Sequence, residues 1–327
     1  MNWKSTSVLI TGAGGFIGSH LAEACVRTGA QTRAMVHYNS AGRRGWLDQS
    51  DLKDEMEIVA SDIREVDSVR AALKGVDVVF HLAALIAIPY SYVSPSSYVS
   101  ANIVGTLNIL QESLRSGVSR VVHTSTSEVY GTARQIPISE EHPLQGQSPY
   151  SATKIGADKL AESFHRSFGL PISIVRPFNT YGPRQSARAV IPTIMTQALA
   201  NEPIRVGNVA PTRDFNYVAD TVRGFMINAG SEKTLGRVIN LGAGKEISIG
   251  DLARTICSLV GRECQIIQEE QRIRPSGGEV DRLLADNRLA DELLGWRPEV
   301  GLRDGLQKTL DWMRLNLERY RPEVYVV

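Results

Sequence analysis

Short apolar runs alternate with longer segments of helical periodicity through the first half of the chain. The apolar runs are typical of buried strands and cover residues 7–10, 32–36, 56–60, 76–83, 120–124 and 172–176. The helical segments between them cover residues 17–28, 66–73, 98–116 and 150–168. Such alternation predicts parallel strands joined by right-handed crossovers. We therefore expect an α/β fold built on a doubly wound parallel sheet.

The turn after the first strand carries three glycines, Gly12, Gly15 and Gly18, in the stretch TGAGGFIG. Glycines in a strand–turn–helix unit let the backbone approach a pyrophosphate closely, and the N-terminus of the helix then faces the anion. This position at the start of the alternating pattern predicts a dinucleotide-binding Rossmann domain. The alternative is a tight turn without a ligand.

The pattern loosens after about residue 177, where glycine and proline become frequent and the strands are isolated. We therefore expect the Rossmann domain to cover residues 1–178 and a smaller C-terminal substrate-binding lobe to cover residues 179–327. Residues 236–242 again read as a buried strand, so we expect residues 213–245 to return to the main sheet.

Composition narrows the class of protein. The 327 residues are 43% hydrophobic and 22% charged, with a net charge of +1, which is ordinary for a globular enzyme and argues against nucleic-acid and membrane-surface partners. The first strand begins at once and leaves no room for a signal peptide. Cys25, Cys257 and Cys264 are unevenly spaced, so we expect neither a disulfide framework nor a metal site. A cytoplasmic location follows from these features.

The end of the second strand bears on the choice of cofactor. NAD-binding sheets usually place an acidic residue there for the ribose 2′-hydroxyl, but this chain has His37, followed by Arg43 and Arg44. Arginine pairs well with a 2′-phosphate, so NADP is slightly favoured over NAD, unless both arginines only solvate a loop. Asp62 follows the third strand and either accepts a hydrogen bond from the adenine amino group or caps a helix.

Tyr150 and Lys154 are four residues apart in a predicted helix and therefore share a face. The ordinary pKa of tyrosine, about 10, is too high for a base near neutral pH. A neighbouring ammonium and a positively charged nicotinamide ring both favour the phenolate. The pair therefore predicts a tyrosine base supported by a lysine, in which Lys154 also orients the ribose.

Seven motifs together resemble the extended short-chain dehydrogenase/reductases that act on nucleotide sugars. They are TGAGGFIGSHL, HLAA, NIVGTLNIL, TSTSEVYG, YSATK, RPFNTYGPRQ and RDFNYVAD. The resemblance implies that Thr126 orients the 4-hydroxyl of the sugar, Tyr150 removes its proton and Lys154 supports Tyr150. It also implies further cofactor contacts at Phe16, Ile17, Ile63, Leu82, Ala83 and Ala84.

The same resemblance implies the substrate contacts and the partner. Asn179, Arg184, Arg213 and Arg274 are the candidates for the nucleotide diphosphate, since arginine grips phosphate bidentately. Family members generally dimerise through two helices of each subunit, which here match residues 98–116 and 150–168, so we expect a homodimer. The second helix carries an apolar stripe that faces either a partner or the protein's own sheet: Ile155, Leu160, Phe164 and Phe168.

Glu128 is the residue that a simple dehydrogenase does not need. A ketone at the fourth carbon of a sugar acidifies the hydrogen on the fifth, and a placed carboxylate can remove that proton. The glutamate resembles that of GDP-mannose 4,6-dehydratases, whereas the dTDP-glucose enzymes carry an Asp–Glu pair and this chain has Ser127 in the Asp position. Either Ser127 relays a proton to the leaving hydroxyl, or Glu128 acts as both base and acid.

The expected activity is a 4,6-dehydratase acting on a UDP- or GDP-linked sugar. Residues 142–164 and 176–194 resemble the dehydratases of legionaminic acid biosynthesis, which implies an N-acetylglucosamine substrate. Three alternatives stay open: a UDP-glucuronate decarboxylase, a 4-epimerase in which Glu128 only caps a turn, and a catalytically silent protein that binds the dinucleotide.

Overall fold

The computed structural model describes residues 1–273 and 275–320. Its strands are β1 Ser7–Thr11, β2 Gln31–Val36, β3 Glu57–Ala60, β4 Val78–His81, β5 Arg120–Thr124, β6 Ile172–Pro177, β7 Asn179–Tyr181, β8 Ile204–Val206, β9 Thr212–Tyr217, β10 Val238–Leu241, β11 Glu246–Ser248, β12 Ile266–Gln268 and β13 Arg282–Leu283. Its α-helices are α1 Phe16–Arg27, α2 Val66–Ala72, α3 Ile88–Val93, α4 Pro95–Tyr98, α5 Gly105–Arg115, α6 Pro149–Phe168, α7 Val190–Leu199, α8 Val218–Gly230, α9 Ile249–Val260, α10 Arg288–Leu294 and α11 Leu302–Arg314.

The main sheet confirms the predicted α/β class. Within the described residues it has seven strands in the order β10-β6-β5-β4-β1-β2-β3, and each neighbouring pair is parallel. Residues such as Val8, Ile10, Phe80 and Val122 are fully buried, which explains why these strands read as continuous apolar runs. The order reverses between β1 and β4, and open α/β sheets bind ligands at such a switch point.

A smaller lobe lies beyond β6. In it β9 pairs with β7, β11 and β13, while β8 pairs with β12. The predicted returning segment therefore needs a correction, because β9 belongs to the smaller sheet. The chain returns with α8, which packs on α1 and on β5 and β6, and then with β10, which pairs with β6.

The two helical segments that were expected to form a dimer interface each show an informative feature. The predicted helix 98–116 contains a π-helical stretch, Val99–Val104, between α4 and α5. In α6, Leu160 and Phe164 pack against the main core and Ile155 packs against a second buried cluster, so most of the apolar stripe faces the protein itself. Phe168 at the helix end is exposed.

The cysteines correct one expectation. Cys257 near the end of α9 and Cys264 before β12 form a disulfide, because Gly261, with a φ of 85°, ends the helix and turns the chain back. Cys25 is buried and free, and its burial raises the pKa of the thiol to about 12. Within residues 1–273 and 275–320, no helix combines the length and apolar character that crossing a bilayer requires.

Candidate active site

A cavity of about 1560 Å³ lies at the carboxyl ends of the main-sheet strands and extends to the smaller lobe. It brings together most of the residues that the sequence singled out. Those lining it are Gly12, Gly15, Phe16, Ile17, Gly18, His37, Arg43, Arg44, Asp62, Ile63, Leu82, Ala83, Ala84, Thr126, Ser127, Glu128, Tyr150, Asn179 and Arg213.

The turn between β1 and α1 has the geometry of a phosphate cradle. Gly12 has a φ of 70°, and a Cβ there would lie 2.9 Å from the backbone nitrogen of Ala83. A Cβ on Gly18 would collide with the carbonyl oxygen of Gly12. Gly15 precedes α1 and has no side chain to cap it, so first-turn amides can face an anion. The turn therefore fits the pyrophosphate of a dinucleotide.

The loop after β2 carries two arginines, Arg43 and Arg44, that line this cavity. Asn39 donates to the carbonyl of Arg43 at 2.6 Å and accepts from its amide at 3.0 Å, and Asp48 accepts from the amide of Arg44 at 3.0 Å. These bonds fix the backbone of the loop that carries both arginines.

Asp62 lies at the end of β3, on the cavity wall. Its carboxylate pairs with Arg64 at 2.6 Å, and this hydrogen bond holds the pKa of Asp62 below its ordinary value. It does not cap α2, because Glu65 is the residue before that helix. Of the two roles considered for Asp62, the helix cap is therefore wrong.

The predicted base and its lysine lie on α6. A capping box between Ser148 and Ser151 fixes the start of the helix, which puts Tyr150 in its first turn and Lys154 one turn later. The ammonium of Lys154 donates to the carbonyl of Thr124 at 2.6 Å. Lys154 is buried behind Tyr150 rather than on the cavity wall, and burial lowers its pKa to about 8.

Tyr150 forms a hydrogen bond with Thr126, which lies in the loop after β5. Burial raises the pKa of Tyr150 well above its ordinary value, a hydrogen bond with Thr126 lowers it, and the nearby charge of Glu128 raises it further. Tyr150 could act as a base near neutral pH only with additional positive charge at this site, such as an ammonium and a nicotinamide ring would supply.

Thr126 and Glu128 are held on one turn. The hydroxyl of Thr126 accepts a hydrogen bond from the Glu128 amide at 3.2 Å and begins the 3₁₀ turn Ser127–Tyr130. Both side chains line the cavity, as does Ser127, which is buried. A hydroxyl, a phenol and a carboxylate thus face one space.

The diphosphate candidates do not all reach the cavity. Asn179 and Arg213 line it, and Arg213 lies 3.5 Å from Glu279. Arg184 is a correction: its guanidinium pairs with Glu23 at 2.8 Å and contacts Ser19 at 3.2 Å, which holds it against α1 instead. Arg274 lies outside the described residues.

Sequence reasoning missed several residues of the site. Arg188, Arg205 and Arg272 line the cavity at its substrate end. Arg188 lies three residues after the end of the RPFNTYGPRQ motif, so the motif could have directed attention to it. Asp158 is fully buried and bonded to Ser125 in the loop after β5. Its spacing of four residues from Lys154 also predicts a shared helix face.

Comparisons with known proteins show the family of the chain. The profile of the GDP-mannose 4,6 dehydratase family matches residues 9–309. A dTDP-glucose 4,6-dehydratase of Streptomyces antibioticus is 31% identical over 323 residues, which cover 97% of this chain and 95% of the relative. The chain belongs to the extended short-chain dehydrogenase/reductase family of nucleotide-sugar dehydratases and epimerases.

Both branches of this dehydratase and epimerase family are represented among its relatives. A UDP-glucose 4-epimerase of Mycolicibacterium smegmatis is 34% identical over 313 residues, which cover 94% of this chain and 98% of the relative. The structure of DesIV, a dTDP-glucose 4,6-dehydratase from Streptomyces venezuelae with NAD bound, matches with a TM-score of 0.87 and 30% identity over 97% of this chain and 99% of DesIV. The family resemblance and the fold are thereby confirmed.

Proposed function

We propose that this enzyme is a 4,6-dehydratase that converts UDP- or GDP-linked N-acetylglucosamine to the 4-keto-6-deoxy sugar. The observation that carries the proposal is the turn that presents Thr126 and Glu128 to the same cavity as Tyr150. Oxidation needs the hydroxyl and the phenol, and elimination needs the carboxylate.

The first stage belongs to Thr126, Tyr150 and Lys154. Thr126 orients the 4-hydroxyl of the sugar, and Tyr150 removes its proton while Lys154 stabilises the phenolate. The glycine turn would hold NAD(P), which would supply the hydride acceptor for the fourth carbon. The same hydride would return to the sixth carbon while a proton returns to the fifth.

The second stage belongs to Glu128. The carbonyl at the fourth carbon acidifies the hydrogen on the fifth, and Glu128 removes this proton as a general base. The electron pair forms a double bond between the fifth and sixth carbons, and the 6-hydroxyl leaves as water after it takes up a proton. Glu128 and Ser127 are the two candidates to deliver that proton, since both line the cavity.

The cavity residues suit both the dinucleotide cofactor and the nucleotide of the sugar donor. Arg43 and Arg44 in the loop after β2 support a 2′-phosphate, so we propose that NADP is accepted alongside NAD. Asn179 and Arg213 are our candidates for the diphosphate of the sugar donor.

We also propose a homodimer in the cytoplasm. Val99 and Val104 are apolar and are 46% and 43% exposed, on the helical segment that matches the dimer helices of the family. The cytoplasmic location stays a prediction, and the Cys257–Cys264 disulfide is unusual for a reducing compartment.

The activity is tested with a panel of UDP- and GDP-linked sugars read by mass spectrometry. We expect loss of one water from a donor linked to N-acetylglucosamine, without added reductant. Loss of carbon dioxide from UDP-glucuronate would establish the decarboxylase instead. A product of unchanged mass would favour the epimerase, the activity of the M. smegmatis relative.

Two variants separate the stages. Glu128→Gln should stop water loss, while Tyr150→Phe should stop oxidation itself. Glu141→Gln is the matched control, because Glu141 is an exposed glutamate on a different loop. Normal dehydration by Glu128→Gln would refute the assignment of the base.

A further inference from the structure

Asp158 lies at the centre of a buried polar cluster behind the catalytic pair. Its Oδ2 accepts from the hydroxyl of Ser125 at 2.8 Å and from Arg176 at 2.9 and 3.2 Å. Its Oδ1 lies 3.3 Å from Nε2 of His123. One carboxylate thus joins β5, β6 and α6 beneath the site.

The contact with Ser125 bears directly on the catalytic residues. Ser125 stands between Thr124, whose carbonyl accepts from Lys154 at 2.6 Å, and Thr126, which bonds to Tyr150. The hydroxyl of Ser125 donates to Asp158, which is fully buried. The bond from Ser125 to Asp158 on α6 therefore fixes the end of β5. Thr124 and Thr126, on either side of Ser125, make the contacts with Lys154 and Tyr150.

The charges of the cluster point to a second role of Asp158, besides its bond to Ser125. Lys154 and Arg176 are both almost fully buried, and Asp158 is the buried carboxylate that faces them within the described residues. Burial raises the pKa of Asp158, but bonds from His123 and the charges around it lower it to about 2, so the group stays ionised. Burial lowers the pKa of His123 on β5 and of His81 on β4, which keeps both rings neutral.

We propose that Asp158 is a positioning residue for the oxidation step, which holds the end of β5 through Ser125 and keeps Lys154 in its ammonium form beside Tyr150. This inference rests on the oxidation stage of the proposed function, which dehydratases and epimerases share. It does not depend on the elimination stage or on the identity of the sugar.

Asp158→Asn tests the charge, because asparagine still offers an oxygen to Ser125. The charge of Asp158 raises the pKa of Lys154, so its removal should lower the titration midpoint of Lys154 by about one pH unit or more. Carbon-13 NMR of labelled lysine measures this midpoint in the absence of a sugar nucleotide. The Lys154→Met variant assigns the resonance. Because the charge of Asp158 also raises the pKa of Tyr150, both limbs of the pH profile of kcat should move to lower pH.

Ser125→Ala tests the position, because it removes the bond and keeps the charge. We expect an unchanged Lys154 midpoint and a kcat lowered severalfold with little change in KM. Ser173→Ala is the matched control: it removes another buried hydroxyl of the sheet, bonded to Asn228 away from the site, and should leave the kcat unchanged.

Asp158→Asn leaves the buried Arg176 without its ion-pair partner and is prone to misfold. The second variant therefore combines Asp158→Asn with Arg176→Met. It removes one buried charge of each sign, and we expect the fold to recover while the Lys154 midpoint stays lowered. A wild-type midpoint and pH profile in this double variant would overturn the proposal and leave Asp158 as the structural partner of Arg176. The Lys154 midpoint is measured without turnover. The proposed dehydratase activity can therefore be refuted without affecting this test of Asp158.

Discussion

Arg184→Met removes an ion pair that joins the first helix of the dinucleotide-binding region to the loop after β7. The Arg184 side chain is 16% exposed and that of Glu23 is 7% exposed, so the pair is largely shielded from water. Arg184 holds this position with a φ of 72°, a left-handed conformation that side chains other than glycine rarely adopt. The variant therefore leaves a shielded carboxylate short of its main partner.

The structure sets the size of the effect. Breaking a fully buried ion pair by removing one partner costs about 3–5 kcal/mol. Arg27 lies 3.5 Å from the other oxygen of Glu23 and can take over part of the interaction. We therefore expect a loss of about 2 kcal/mol of unfolding free energy and, at about 2 °C per kcal/mol for a chain of this size, a Tm lower by about 4 °C.

The pH dependence has a definite sign. Burial raises the pKa of Glu23, but the hydrogen bonds from Arg184 and Ser50 outweigh it, so the folded pKa lies below the ordinary value. The stabilisation is present above the unfolded pKa of about 4.3 and is lost as the pH falls through the folded value. The difference in Tm between wild type and variant should therefore shrink in acid.

Thermal and urea denaturation measure the stability, and the KM of the sugar donor measures any phosphate role. Arg184→Gly is the matched control, because it loses the same pair but relieves the left-handed backbone and should recover about 1 kcal/mol. An unchanged Tm together with a tenfold higher KM would refute this reasoning and restore the phosphate role that the sequence predicted.

Three further variants test the cofactor site and the partner. Gly18→Ala should weaken NAD(P) binding at least about tenfold by calorimetry with an unchanged circular dichroism spectrum, because the added Cβ collides with the cradle. Arg43→Ala with Arg44→Ala should weaken binding of NADP more than that of NAD in a competition titration, and equal losses would assign both arginines to the solvated loop. Val104→Glu should shift the protein from dimer to monomer in light scattering, whereas an unchanged mass would reject the proposed interface.

The main sheet was predictable because its central strands are buried on both faces and its connections are local. The smaller lobe was not, because its strands are only two to six residues long and depend on distant contacts. Asp214 on β9 shows why: its carboxylate accepts from the amides of Ala243, Gly244 and Ala285. No local periodicity encodes a carboxylate that binds two segments so far along the chain.

The cavity residues were predictable where a motif fixes a strand end, as in the glycine turn and the loop of Thr126 and Glu128. Arg184 was misplaced because an arginine in a Pro-rich loop has the same local pattern whether it binds phosphate or a carboxylate. Its partner Glu23 lies 161 residues away along the chain, and only the fold brings them together. Asp158 is the opposite case, since its helical spacing from Lys154 could be read but no motif directed attention to it.

The geometry of the Thr126 turn makes Glu128→Gln a clean test of elimination. The bond that fixes Thr126 comes from the backbone amide of residue 128, so the substitution leaves it in place. Because the charge of Glu128 raises the pKa of Tyr150, its removal should ease deprotonation of Tyr150 rather than hinder it. We therefore expect the variant to form the 4-keto sugar and reduced cofactor at least as fast as wild type in a single turnover, and to stop there. A variant that oxidises more slowly would show that the carboxylate acts on the first stage as well.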